Sequence, residues 1–329
     1  MNSAGRSLPT PIVTVVAALI GAAAALVIGL LTFGVQATVN PDHVPLAIGA
    51  DNPAMSSVAV TVAAQGGDRI TWHVVQSRAE AESLLDAKQV YGALLLSPGP
   101  SGPTATIVLS GALNPNATAV AEPILLGVAE GLKAPAQVVT VHPTSAAGRA
   151  LPLAATALLW LAGLAANAAA LVLGPRLRSG RPLGRIAVTG VALGAALLGT
   201  GVVVGLAWLW DSSLPVGSEV VGFLLLVGLA FTLLQAGIFR WLGPPGFALL
   251  GPLYLMAPAV AGLPPELINP VYRTLLWSWT PFRFSSEGLR SVMFLGSGGP
   301  DVQSAILIFS AIALGGLVLI AARRKSPAD

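Results

Sequence analysis

Residues 11–33 read PIVTVVAALIGAAAALVIGLLTF, an apolar run without a charge. At about 1.5 Å of rise per helical residue it is long enough to cross a hydrocarbon core of about 30 Å. It also exceeds the roughly 7–15 residues of a signal-peptide core, so it reads as an uncleaved anchor with Arg6 ahead of it. Five further runs follow, at Leu151 to Gly174, Ile186 to Trp210, Val220 to Phe239, Phe247 to Leu263 and Ala305 to Ala321. The composition agrees. Of 329 residues 54% are hydrophobic and only 9% charged, whereas a soluble domain carries about 25% charged residues. The fold class expected is therefore a polytopic α-helical membrane protein of about six transmembrane helices. With a net charge of +3 and basic residues set beside apolar runs, the membrane accounts for them and nucleic acid is not an expected partner. The absence of cysteine removes disulfides and thiolate metal sites.

Lys and Arg resist transfer and collect in cytoplasmic loops. With the N-terminus inside, the cytoplasmic segments hold Arg6, then Arg176, Arg178, Arg181 and Arg185 in one short loop, then Arg240, then Arg323, Arg324 and Lys325. Their only acid is Asp329, and the other thirteen acids fall on the opposite side. An even number of spans places both termini in the cytoplasm. The expected location is a plasma membrane, the bacterial inner membrane, with membrane lipid as the surrounding partner. Trp160, Trp208, Trp210, Trp241, Trp277 and Trp279 fall near span ends, where interfacial aromatics gather.

Three segments result: a tail and first helix over 1–37, an extracytoplasmic α/β domain over 38–148 inserted between helices 1 and 2, and a five-helix membrane domain over 149–329. In the middle segment, β-branched runs bounded by turn residues predict strands at Val44 to Ile48, Ile70 to Val75, Val90 to Leu96, Thr104 to Leu109 and Gln137 to Val141. Helices are predicted at Ala54 to Ala64, Ala79 to Ala87 and Ala117 to Leu132, the last interrupted early by Pro123. His43, His73 and His142 all lie here, but their spacing matches no compact metal motif, so no metal or other cofactor is expected.

Among the spans no interior position is acidic or basic, which disfavours a proton-driven pump. Asn167 is the main polar side chain within a span, placed either for an interhelical hydrogen bond or for contact with a substrate. Gly190 with Gly194, and Gly201 with Gly205, form two GxxxG pairs on the third span, suited to close packing within the chain or against a second subunit. The only lysines are Lys88, Lys133 and Lys325, none in the GxxxxGK[ST] context of a P-loop. No GxSxG elbow occurs either, so an enzyme is not expected. Between the last two spans, 264–302 is too broken by prolines to cross the membrane. It reads as an outer re-entrant or interfacial segment, with Arg283, Glu287 and Arg290 facing water.

Several local patterns carry a resemblance. Ala79-Glu80-Ala81-Glu82-Ser83-Leu84-Leu85 leads into Val90-Tyr91-Gly92-Ala93-Leu94-Leu95-Leu96-Ser97-Pro98-Gly99; later come Leu242-Gly243-Pro244-Pro245-Gly246, Ala261-Gly262-Leu263-Pro264-Pro265-Glu266-Leu267-Ile268, and Pro281 through Leu289-Arg290. In these motifs and in its layout the chain resembles the ABC-2-type permease superfamily, in particular its YhgE/Pip (phage infection protein) branch. The resemblance implies the permease subunit of an exporter that moves an apolar or amphipathic substrate. It also implies a homodimer, or a heterodimer with a similar permease, energised by a separate cytoplasmic ATPase. Arg176, Arg178, Arg181 and Arg185 would then be the candidate ATPase-contact loop, or else only topology anchors. The alternative is a non-transporting surface receptor, scaffold or envelope assembly factor, which short cytoplasmic loops would suit.

Overall fold

The computed structural model describes residues 9–322 except 51, 101, 178–180 and 182. Arg6, Arg178, Arg323, Arg324, Lys325 and Asp329 therefore lie outside the described residues. The protein is mostly helical, with a small mixed-sheet domain between its first two long helices.

The domain is built from five strands, β1 Val44–Ala50, β2 Ile70–Val75, β3 Ala93–Gly99, β4 Gly102–Ser110 and β5 Ala136–Val141. The sheet order is β2-β1-β3-β4-β5. β1 runs parallel to β2 and β3, β3 and β4 form an antiparallel pair, and β4 is parallel to β5. The β3–β4 connection is tight enough to need Gly102 at φ +139, a conformation only glycine takes without strain. Three helices connect the strands: α2 Pro53–Ala64, α3 Arg78–Asp86 and α4 Pro115–Gly131. Ser77 caps α3 by accepting from the Glu80 amide, and Glu80 accepts in turn from the Gln76 amide, a reciprocal arrangement that anchors a helix start. α4 runs through Pro123 without interruption. Leu46, Ile48, Leu94, Leu96 and Ile107 are fully buried at the centre of the sheet.

Five helices are long and apolar enough to cross a membrane: α1 Thr10–Ala37, α5 Ala146–Leu177, α6 Arg185–Trp210, α7 Ser218–Leu242 and α10 Val302–Ala321. The remaining apolar run, Phe247 to Leu263, forms α8, Gly246–Ala261, which at 1.5 Å per residue is about 24 Å long and so shorter than a full crossing. A turn at Gly243, φ +63, precedes it, and Pro264 and Pro265 bar its extension. The four helices α5, α6, α7 and α10 form the bundle, with α7 the most buried. α1 stands apart: none of Thr10–Gly29 is buried, and packing on the bundle involves its last turns, where Leu31 leans on the core, Gly34 lies against Tyr272 and Val35 is buried.

Lipid gives apolar side chains no gain from associating, so close backbone approach must hold such helices together. The closest approach is between α7 and α10, where a Cβ on Gly316 would fall 2.5 Å from the Leu233 backbone and one on Gly237 would fall 2.7 Å from Leu319. On α6 the glycine in contact is Gly199, 3.1 Å from Ala162. The Gly190, Gly194, Gly201 and Gly205 pairs face open space, with nothing within 4 Å of where a Cβ would stand. They make no close helix crossing within this chain.

The segment after α8 continues through a short turn at Pro265–Leu267 and a kinked turn over Pro270–Trp277, then forms α9, Pro281–Leu295. Along α9 the partners on α7 change from Phe231 at Phe282 to Phe223 at Gly288, and just past its end to Glu219 at Ser297. The helix therefore begins inside the bundle and rises toward the domain. Phe282 packs edge-on to Trp160 at 5.1 Å, and Trp160 packs edge-on to Phe231 at 5.0 Å. Trp160 is thus a core residue, not an interfacial one. Thr156 and Ser285 share a 2.7 Å hydroxyl hydrogen bond, and Ser286 donates to the Ala261 carbonyl. Glu287 and Arg290 correct the expectation of water-facing charges. Arg290 is 2% exposed, because α9 presents one face to α5, α7, α8 and α10 and the other to the domain.

Candidate functional site

The domain rests on α9 through an ionic junction. Lys88 follows α3 in the left-handed conformation, φ 55, which turns the chain out of the helix. Its Nζ donates at 3.0 Å both to Glu287 and to Asp301, and at 3.2 Å to the Glu287 carbonyl. Asp301, at the start of α10, is likewise left-handed, φ 67. Asn114 accepts from the Asn116 amide to cap α4 while its Nδ2 donates to Glu287 at 3.0 Å. Arg290 lies 3.7 Å from Glu287 on the bundle side. Two cations and two anions thus balance in a largely dry place.

Burial alone would raise the Glu287 carboxyl. Lys88, then Arg290, and the hydrogen bonds from Lys88 and Asn114 outweigh it and bring the group down to about 2 from its ordinary 4.5. Beside it the Tyr91 hydroxyl donates to Glu266 at 2.6 Å. Burial, and then the adjacent carboxylate of Glu266, push the Tyr91 phenol far above its usual range. A cavity of about 270 Å³ separates these groups from Trp277, Arg283 and Phe284. Arg283 sits 3.9 Å over the Trp277 ring and 3.7 Å from that of Phe284, a cation–π arrangement. Asn116 and the Gly262 carbonyl add a further bridge to α8, at 2.6 Å. Most polar groups here hold the domain to the bundle, while Arg283 Nε and Arg290 Nε and Nη1 are buried without a hydrogen-bond partner among the described residues.

At the opposite end of the bundle α5, α6 and α7 diverge around a cavity of about 330 Å³. Leu183, just before α6, covers Gly174 on α5, and Trp241 donates to the Leu319 carbonyl to tie α7 to α10. Asn167 borders this cavity, with Nδ2 donating to the carbonyls of Gly163 and Thr232 at 2.9 and 3.2 Å, so it joins α5 to α7. Arg240 is also in the wall, while Arg176, Arg181 and Arg185 are exposed around the loop. Among the described residues this end carries arginines and no acid, whereas the acids lie in the domain or at its end of the bundle.

The junction was not legible as a site. Lys88, Glu287 and Asp301 are up to 213 residues apart, and only the fold brings them together. Among the described residues no group of three His, Asp or Glu side chains could hold a metal ion; His142 pairs with Asp86 and His43 with Asp42. No protein-family model, no curated protein and no solved structure matches the chain.

Proposed function

We propose that this chain is the membrane subunit of an ABC-2-type exporter, moving an apolar or amphipathic substrate with energy from a separate ATPase. The observation that carries the reading is the mechanical link from domain to bundle interior. Lys88 holds Glu287, and five residues earlier on the same helix Phe282 is wedged against Trp160 and Phe231. A rearrangement of the spans is thereby transmitted to the domain, a connection that a passive platform does not need. In this reading α8, short as a helix, still carries the chain from the far end at Gly243 to the domain side at Gly262 and so makes the sixth crossing, the domain lies outside, and the arginine-bearing end faces the cytoplasm, where positive residues accumulate. Arg176, Arg181 and Arg185 are then available to an acidic groove of the ATPase. The outward-facing glycines of α6 are available to a second permease chain.

The deciding experiment is affinity purification of the full chain in mild detergent. A stoichiometric P-loop ATPase is the expected result. Recovery with envelope proteins and no ATPase would replace this reading with the scaffold or receptor one, which the short loop between α5 and α6 suits. Orientation is read by single cysteines, since the chain has none. Gln137→Cys in the domain should react with an impermeant thiol reagent on intact cells and Gly184→Cys at the far end should not; the reverse pattern overturns the orientation.

A further inference from the structure

We infer that the far-end cavity between α5, α6 and α7 is a binding site for the phosphate headgroup of an anionic glycerophospholipid, with the start of one acyl chain along its apolar wall. The site stands whether or not the chain exports anything. Its walls are mainly apolar, with Leu171, Leu183, Val188 and Phe239 among them, and its polar groups are Asn167 and Arg240. The Arg240 Nε is shut away from solvent with no hydrogen-bond partner among the described residues, and among those residues no carboxylate stands at this end to satisfy it. A guanidinium left in that state is complemented by an oxyanion able to accept two parallel N–H bonds, as a phosphate does.

Three further features favour an anion here. Arg176, Arg181 and Arg185 are exposed around the same end of the bundle, and clustered basic residues at a membrane face attract anionic lipid. α6, 26 residues long, begins beside the cavity at Arg185 with no side-chain cap and no acid in its first turn, so among the described residues no side chain opposes its positive dipole end. The volume, about 330 Å³, is near the lower limit of small-molecule sites, roughly 300–1,000 Å³. That admits a headgroup and the first part of a chain but not a whole lipid. A free phosphate would find the charge it needs but would leave the apolar wall uncovered, whereas a lipid covers both.

The test uses the full chain, purified in mild detergent, stripped of lipid and offered equal amounts of phosphatidylglycerol and phosphatidylcholine, with bound lipid counted by native mass spectrometry. Wild type should retain phosphatidylglycerol about tenfold over phosphatidylcholine, since both carry the phosphodiester that Arg240 binds but the choline cation would lie among Arg176, Arg181 and Arg185. Arg240→Gln should lower retention of phosphatidylglycerol about tenfold, and Arg240→Lys, which keeps the charge but not the fork, should lower it less. Ala170→Leu narrows the cavity while leaving Arg240 in place, and should reduce retention of phosphatidylglycerol; it decides the matter if Arg240→Gln does not fold. Equal retention of the two lipids by wild type, or unchanged retention by Arg240→Gln or Ala170→Leu in folded protein, overturns the site. Protection of the wild type from thermal unfolding by millimolar inorganic phosphate, equal to that by phosphatidylglycerol, overturns the lipid assignment in favour of free phosphate.

Discussion

The two ends of the bundle treat charge in opposite ways. At the domain end the charges of the junction face opposite charges: Lys88 meets Glu287 and Asp301, Arg290 lies 3.7 Å from Glu287 although its Nε and Nη1 have no hydrogen-bond partner among the described residues, and Tyr91 meets Glu266. At the far end Arg176, Arg181, Arg185 and Arg240 have no acid near them among the described residues. Buried charge survives only when paired, because desolvation costs several kcal/mol per ion, so the domain end is self-contained. Cations left unpaired at a rim have water, lipid headgroups or another chain as their partners. One end therefore meets its charges with its own, while the other leaves its arginines without an acid among the described residues.

The strongest way to break this contrast is Glu287→Ala. It strips both Lys88 and Arg290 of a partner, and removing one member of a buried ion pair costs roughly 3–5 kcal/mol. Chemical denaturation followed by tryptophan fluorescence should show the bundle and domain losing stability together; a change below about 1 kcal/mol would mean that the junction is not a buried network. Next comes Gly316→Leu. Its new side chain would meet the Leu233 backbone at 2.5 Å, and overpacking of this kind costs about 1–3 kcal/mol. The loss should appear as a lower thermal midpoint without detachment of the domain, since α7 and α10 cross away from the junction.

Acidification sharpens the comparison further. Glu287 has a folded value lowered to about 2 from about 4.5, so its contribution is fully present above pH 4.5 and is lost as the pH falls from there toward 2. The far end carries no acid among the described residues, so it should not respond. Limited proteolysis between pH 6 and 3 should show cleavage rising first around residues 86–92 and 262–266, with the α5–α6 connection unchanged. The smallest effect belongs to Gly194→Leu with Gly201→Leu. Both glycines face open space, so monomer stability should change by no more than about 0.5 kcal/mol, while crosslinking of a dimer should fall. A large loss of monomer stability would show that these glycines pack within the chain after all.

Legibility follows the range of the interaction. The long apolar runs and the strands declare themselves through patterns contained within ten or twenty residues, so β1 to β5 fall on the five β-branched stretches and α5, α6, α7 and α10 on four of the apolar ones. α9 could not be read in the same way. Its sequence PFRFSSEGLRSVMFL has the alternation of a surface helix, and only the domain lying over it supplies the lysine that lets Glu287 and Arg290 be buried. The glycines of α6 teach a related lesson. GxxxG spacing marks a face that can pack, but the face actually used within the chain carries Gly199, outside both pairs. Asn167 was visible as a polar residue in a span, whereas the cavity beside it depends on how three helices diverge.

α1 has the highest mean hydropathy of the five long helices and the least burial. The two properties belong together. A helix that leans on neighbours can shelter a polar group, as α5 shelters Asn167 against α7, but one that meets only hydrocarbon must be accepted by the bilayer on its own composition. α1 thus needs no neighbour to be stable in hydrocarbon, while α9, with its buried arginine, depends on residues as distant in sequence as Lys88 and Asp301. Independence and dependence are thus set by burial: the first helix relies on its own composition, and the charged one on contacts drawn from the whole length of the chain.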